Sequence, residues 1–125
     1  MSTNDHAIVV IDDEEHVRDL LKLIVRKSGH SSLPFPSASL AIKEQDFSQV
    51  FFAIVDLQMP GMHGDEFIRE LLPLYPHMNF LLITASNLND ELEELVAMER
   101  VHFMQKPFAV KDIIEMINLY SEEAV

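Results

Sequence analysis

Four stretches of the chain are apolar without alternating: residues 7–11, 50–55, 80–83 and the shorter 101–104. A strand with one face in water alternates apolar and polar residues, whereas a strand covered by helices on both faces does not, so these runs predict a parallel sheet. Between them the apolar residues take helical spacing: Val17, Leu20, Leu21 and Ile24, then Leu88, Leu92, Leu95 and Val96, and finally Val110, Ile113, Ile114 and Ile117. Phe67, Ile68, Leu71 and Leu72 predict another helix, which should weaken at Pro73 because proline removes a helical donor and crowds the preceding turn. Over residues 31–46 the pattern is weaker. Leu33-Pro34-Phe35-Pro36 fits a short strand only at a sheet edge, and residues 37–45 fit a short helix. In order this gives five strand–helix units, and alternation with right-handed crossovers predicts a three-layer α/β sandwich.

Composition narrows the picture. At 125 residues the chain is long enough for one domain with a core and too short for two, so a single domain over residues 1–125 is expected, with the polar residues 1–6 flexible. A formal net charge of -12, with nine scattered Lys and Arg residues, argues against direct nucleic-acid binding. The absence of cysteine excludes disulfides and thiolate metal sites. The longest fully apolar run, residues 50–55, is far below bilayer length and the first six residues carry no signal region, so no membrane role and a cytoplasmic location are expected.

Open parallel sheets carry their functional groups at the carboxyl ends of the strands. Asp12-Asp13 follow the first predicted strand, Asp56 ends the third, Thr84 ends the fourth and Lys106-Pro107 lies just past the fifth. Close carboxylates repel by roughly 4 kcal/mol per pair at an effective dielectric of about 20 and need neutralising, for which a hard cation such as magnesium is suited. Lys106 supplies a point charge that can hold a phosphoryl group beside Asp56. Each residue also has an ordinary explanation: Asp12 and Asp13 as helix-starting acids, Asp56 as a strand terminator, Thr84 as a β-former and Lys106 as a surface lysine. The six histidines show no metal spacing, and His63 and His102 read as surface residues. The seven methionines read as core and helix-face filler, and Glu91, Glu93 and Glu94 as a solvated helix face. Met116 and Leu119 flank the stripe of the last helix, where they are available to a partner or dimer mate.

Together, Ile11-Asp12-Asp13-Glu14, Val55-Asp56-Leu57-Gln58-Met59-Pro60-Gly61-Met62-His63-Gly64, Ile83-Thr84-Ala85 and Lys106-Pro107-Phe108 resemble the receiver domains of bacterial two-component response regulators, of the chemotaxis-regulator type. The resemblance implies a flavodoxin-like five-stranded parallel sheet in the order 2-1-3-4-5 with helices on both faces. It implies that Asp56 is the phosphoacceptor, that Asp12, Asp13, Asp56 and the Gln58 backbone carbonyl hold magnesium, and that Lys106 pairs with the phosphoryl group. Thr84 then resembles the switch hydroxyl and Phe103 the switch aromatic. The implied donor is a histidine kinase or histidine phosphotransfer protein. The implied output is a change in the face of the fourth helix, fifth strand and fifth helix, read by a downstream protein, a fused output domain or a homodimer mate. The chain is then a phosphoacceptor assisting its own phosphorylation and dephosphorylation, with Gln58 and Ser86 placed to tune the lifetime, rather than a turnover enzyme. A small-substrate phosphatase fits less well, since no acid lies two residues after Asp56. Three positions depart from the family pattern. Glu99-Arg100 replaces a Gly-Ala pair and is expected to alter or shorten the approach to the fifth strand, Phe103 stands where tyrosine is frequent, and Pro34 lies in the second strand.

Overall fold

The computed structural model describes residues 7–124, with side chains through residue 121, so the expectation for residues 1–6 falls outside it. Strands and helices alternate as β1 (Ala7–Ile11), α1 (Glu15–Lys27), β2 (Ser31–Phe35), α2 (Ala38–Glu44), β3 (Val50–Asp56), α3 (Gly64–Leu71), β4 (Asn79–Thr84), α4 (Asp90–Val96), β5 (Val101–Gln105) and α5 (Val110–Ala124). The five strands form one parallel sheet in the order β2-β1-β3-β4-β5. No helix among the described residues is long and apolar enough to cross a membrane.

The lack of alternation in the strands has the expected cause. Val9, Ile11, Ala53 and Val55 face one core, shared with Ala38 and Ala41 of α2, Phe67 and Ile68 of α3, and Leu92 and Leu95 of α4. Ile8, Val10, Phe52 and Ile54 face the other, beneath Leu21 and Ile24 of α1 and Ile113 and Ile117 of α5. All seven residues of β3 are buried, as befits the central strand. Burial on both sides removes apolar surface worth about 1.5–3 kcal/mol per large side chain from water, which makes this strand the axis of the fold.

Several details differ from the sequence pattern. Leu20 and Val110 belong to the predicted apolar stripes but are 41% and 42% exposed. A helix lying on a sheet buries a narrower arc than its stripe, and Val25 joins Leu21 and Ile24 inward instead. The edge strand extends from Ser31, and Pro34 is tolerated because β2 has only β1 as a neighbour. Ser37 and Gln45 prove to be the caps of α2, and the Ser37 hydroxyl accepts from Leu40 N at 3.1 Å.

The Glu99-Arg100 departure does not shorten β5, which runs one residue further than predicted. Instead the Arg100 guanidinium reaches back to α3, donating from Nη1 to the Tyr75 and Met78 carbonyls, each at 2.8 Å, and from Nη2 to the Leu72 carbonyl at 2.6 Å. The helical donor for Leu72 would come four residues on, at Pro76, which has no N–H. The planar fork of arginine supplies to the Leu72 carbonyl the donor that Pro76 withholds. Arg100→Ala should lower stability by about 2–3 kcal/mol in urea unfolding, and Arg100→Lys should recover less than half, because an ammonium cannot span three carbonyls from one plane.

Candidate functional site

The predicted residues meet at the carboxyl edge of the sheet. Asp12 follows the last residue of β1, Asp56 ends β3, Thr84 ends β4 and Lys106 follows β5. Parallel strands in register bring these ends level: Asp56 stands opposite Ile83, and Thr84 opposite Gln105. Backbone bonds tie the edge together, with Leu57 N donating to Ile83 O and Lys106 N to Thr84 O, both at 2.8 Å. The Lys106–Pro107 peptide is cis.

Asp12 and Asp56 are 1% and 7% exposed, so neither carboxylate can rely on bulk water. Lys106 Nζ lies 3.2 Å from Asp12 Oδ2 and 3.4 Å from Asp56 Oδ1. Asp12 Oδ1 accepts from Glu14 N at 2.9 Å, and the Asp12 carbonyl accepts from Arg18 Nη1 at 2.7 Å. Asp13 is exposed, yet one oxygen from each of Asp12, Asp13 and Asp56 falls within 4.8 Å of the others. Three converging carboxylates are a hard-oxygen set that suits magnesium and offers nothing to a soft metal. Burial and the charges of Asp12 and Asp13, partly opposed by Lys106, push the Asp56 carboxyl from 3.8 up to about 6. For Lys106, burial works against the charged form, but Asp12 and Asp56 outweigh it and raise the pKa.

Thr84 is buried and its Oγ1 accepts from Ser86 N at 3.0 Å. Gln58 is exposed at the mouth, its Nε2 donating to Ser86 Oγ at 3.3 Å. Phe103 is half-buried on the same side of β5 as the fully buried Val101, opposite Leu82 of β4. It is neither a plain core aromatic nor a solvated one. His63 is exposed as expected, at the start of α3, where its N–H donates to Glu66 Oε1 at 2.9 Å. His102 is not the surface residue expected: the period of β5 turns it toward α5, where it hydrogen-bonds the Tyr120 hydroxyl, and Tyr120 stacks on Phe52. Met116 packs against the core beneath α5, while Leu119 is 52% exposed.

Three contributors escaped the sequence pattern. Glu14 reads as a helix-starting acid, but its Oε1 lies 3.6 Å from Lys106 Nζ. Arg18 sits within an amphipathic helix and gives no sign of its contact with Asp12. Gly64 stands so close to the phosphoacceptor candidate that a Cβ there would meet the Asp56 carbonyl oxygen at 2.4 Å. The Gly-rich spacing after Asp56 was the available signal for this approach, and Gly61, at φ +79°, supplies the turn that permits it.

Two measurements check this geometry. Gly64→Ala should displace α3 from β3 and lower the urea midpoint, at a cost of about 1–3 kcal/mol, since backbone atoms rather than a flexible side chain must yield. The Asp56 pKa is raised in the folded state, so the native protein holds that proton more tightly than the unfolded chain, and stability falls as pH rises from about 4 through about 6. Asp56→Asn should therefore match the wild type near pH 3.5 and exceed it by about 2–3 kcal/mol at pH 8, read by urea unfolding across that range.

Known proteins resemble this chain along most of its length. The description "Response regulator receiver domain" matches residues 8–118. FixJ, a transcriptional regulatory protein of Rhizobium meliloti, is 30% identical over 97% of this chain and 59% of its own length. Sporulation initiation phosphotransferase F of Bacillus subtilis is 21% identical over 90% of this chain and 91% of its own. The chain thus spans about half or less of several longer relatives, though nearly all of the Bacillus protein. A receiver domain protein from Clostridium thermocellum superposes with a TM-score of 0.79 at 25% identity, covering 94% of this chain and 95% of that one. With the acids, the hydroxyl and the lysine at the ends of a 2-1-3-4-5 sheet, the chain belongs to the response regulator receiver domains of two-component signalling.

Proposed function

We propose that Asp56 accepts a phosphoryl group from a phosphohistidine and that the resulting charge changes a distant face of the domain. Receiver domains are phosphoacceptors as a family. The observation that carries the assignment to Asp56 is the Lys106 ammonium held between two buried carboxylates, only one of which is the terminal residue of a strand. Asp56 attacks the donor phosphorus, the P–N bond to histidine breaks, and its electron pair returns to the ring nitrogen, which takes up a proton. Water later attacks the acyl phosphate, the P–O bond to Asp56 breaks, and inorganic phosphate leaves with the carboxylate restored.

Such transfer needs in-line positioning and charge neutralisation more than acid–base chemistry. Asp12, Asp13, Asp56 and the Gln58 carbonyl would hold magnesium, which supplies positive charge to the phosphoryl oxygens when bound. Lys106 holds the remaining charge from the other side, and Gln58 and Ser86 at the mouth limit the approach of water. The Thr84 hydroxyl, which accepts from Ser86 N–H, moves to donate its O–H to a phosphoryl oxygen, and the half-buried Phe103 follows into the space released. The face of α4, β5 and α5 changes as a result, a two-state shift needing about 5.5 kcal/mol for a full reversal of populations. A downstream protein, a fused output domain or a second copy of the chain reads that face. The donor is a histidine kinase or phosphotransfer protein, and the reaction takes place in the cytoplasm, with residues 1–125 acting as one unit.

Intact-mass analysis after incubation with acetyl phosphate and magnesium should show one added phosphoryl group on the wild type and none on Asp56→Asn. Phosphorylation of the Asn variant to the same extent, or none of the wild type, would remove the assignment.

A further inference from the structure

We infer that Glu14 is a positioning residue that competes with an incoming phosphoryl group for Lys106 and so sets how readily Asp56 is phosphorylated. This rests on Asp56 being the acceptor. An ammonium has three N–H donors, and three carboxylate oxygens surround this one, from Asp12 at 3.2 Å, Asp56 at 3.4 Å and Glu14 at 3.6 Å. Lys106 hydrogen-bonds Asp12 and holds Asp56 and Glu14 as longer ion pairs, so an incoming anion competes with these carboxylates for the same ammonium.

The three carboxylates are not equally easy to release. The side chains of Asp12 and Asp56 are 1% and 8% exposed, and loss of the ammonium would leave either one buried without its counter-charge. The Glu14 side chain is 53% exposed, so water replaces the ammonium there at small cost. Its other oxygen lies 3.9 Å from Nε2 of the exposed His16, a second place to rest. The Glu14 backbone is meanwhile fixed, because its N–H donates to Asp12 Oδ1. The contact with Lys106 therefore comes from a pinned position and is the one the site surrenders first. Nothing in the fold needs it: Glu14 precedes α1 and its side chain makes no capping bond.

The experiment uses acetyl phosphate at saturating magnesium: an Asp56 oxygen attacks phosphorus, the P–O bond to the acetyl group breaks, and acetate departs with the electron pair. Glu14→Gln should raise the second-order rate constant by about 1.5- to 5-fold, the range an exposed ion pair supports. Glu14→Asp keeps the charge but not the reach and should raise it too. Glu15→Gln removes a charge one residue further on and should leave it unchanged. An equal gain from Glu15→Gln, or none from Glu14→Asp, would mean that only the general field matters and would overturn the contact. Independently of phosphorylation, the Lys106 Nζ resonance in metal-free protein should shift in Glu14→Gln and not in Glu15→Gln. A wild type that is not phosphorylated defeats the acceptor assignment. A phosphorylated wild type with Glu14→Gln unchanged in rate and in resonance defeats only the role of Glu14.

Discussion

Two carboxylates with almost no access to water, Asp12 and Asp56, share one ammonium, Lys106, and the arrangement of the carboxyl edge follows from the need to keep those three together. Without the lysine the acids would repel and sit uncompensated in a poor dielectric. With it they remain close, and Asp56 keeps a pKa raised first by burial and then by the charge of Asp12, which Lys106 only partly offsets. A site left short of positive charge suits a divalent ion, in keeping with the phosphoryl transfer proposed for it.

The backbone makes the arrangement possible by bringing distant parts of the chain to one level. Register between β3 and β4 and between β4 and β5 sets Asp56, Thr84 and the start of the Lys106 segment side by side, although Asp12 and Lys106 are 94 positions apart in the chain. Gly64 lets α3 begin against the Asp56 carbonyl, so that the loop after β3 folds back over the mouth. At the opposite edge Arg100 completes the end of α3, fixing the same helix from its other end. The helix that borders Asp56 is thus held at both termini.

The two faces of the sheet divide the work. The side carrying α2, α3 and α4 includes Val101 and, on the same face of β5, the half-buried Phe103, which belongs to the face proposed to change. On the other side Tyr120 stacks on Phe52 and bonds His102, fastening α5 to β3 and β5.

The sequence by itself determined the strand–helix alternation, the edge position of the strand containing Pro34, and the placement of Asp12, Asp13, Asp56, Thr84 and Lys106 at strand ends. These follow from local periodicity and from the physics of a doubly covered parallel sheet, which one stretch of chain is enough to reveal. Tertiary structure alone decided which residues surround Lys106, that Arg100 would serve α3 rather than disturb β5, that His102 would turn inward, and that Leu20 and Val110 would stay exposed. Each of these depends on a neighbour far along the chain. Side-chain reach across a sheet edge leaves no periodic trace in the residues that make the contact, because the pattern of a helix or strand encodes the face it buries and not the partner it meets.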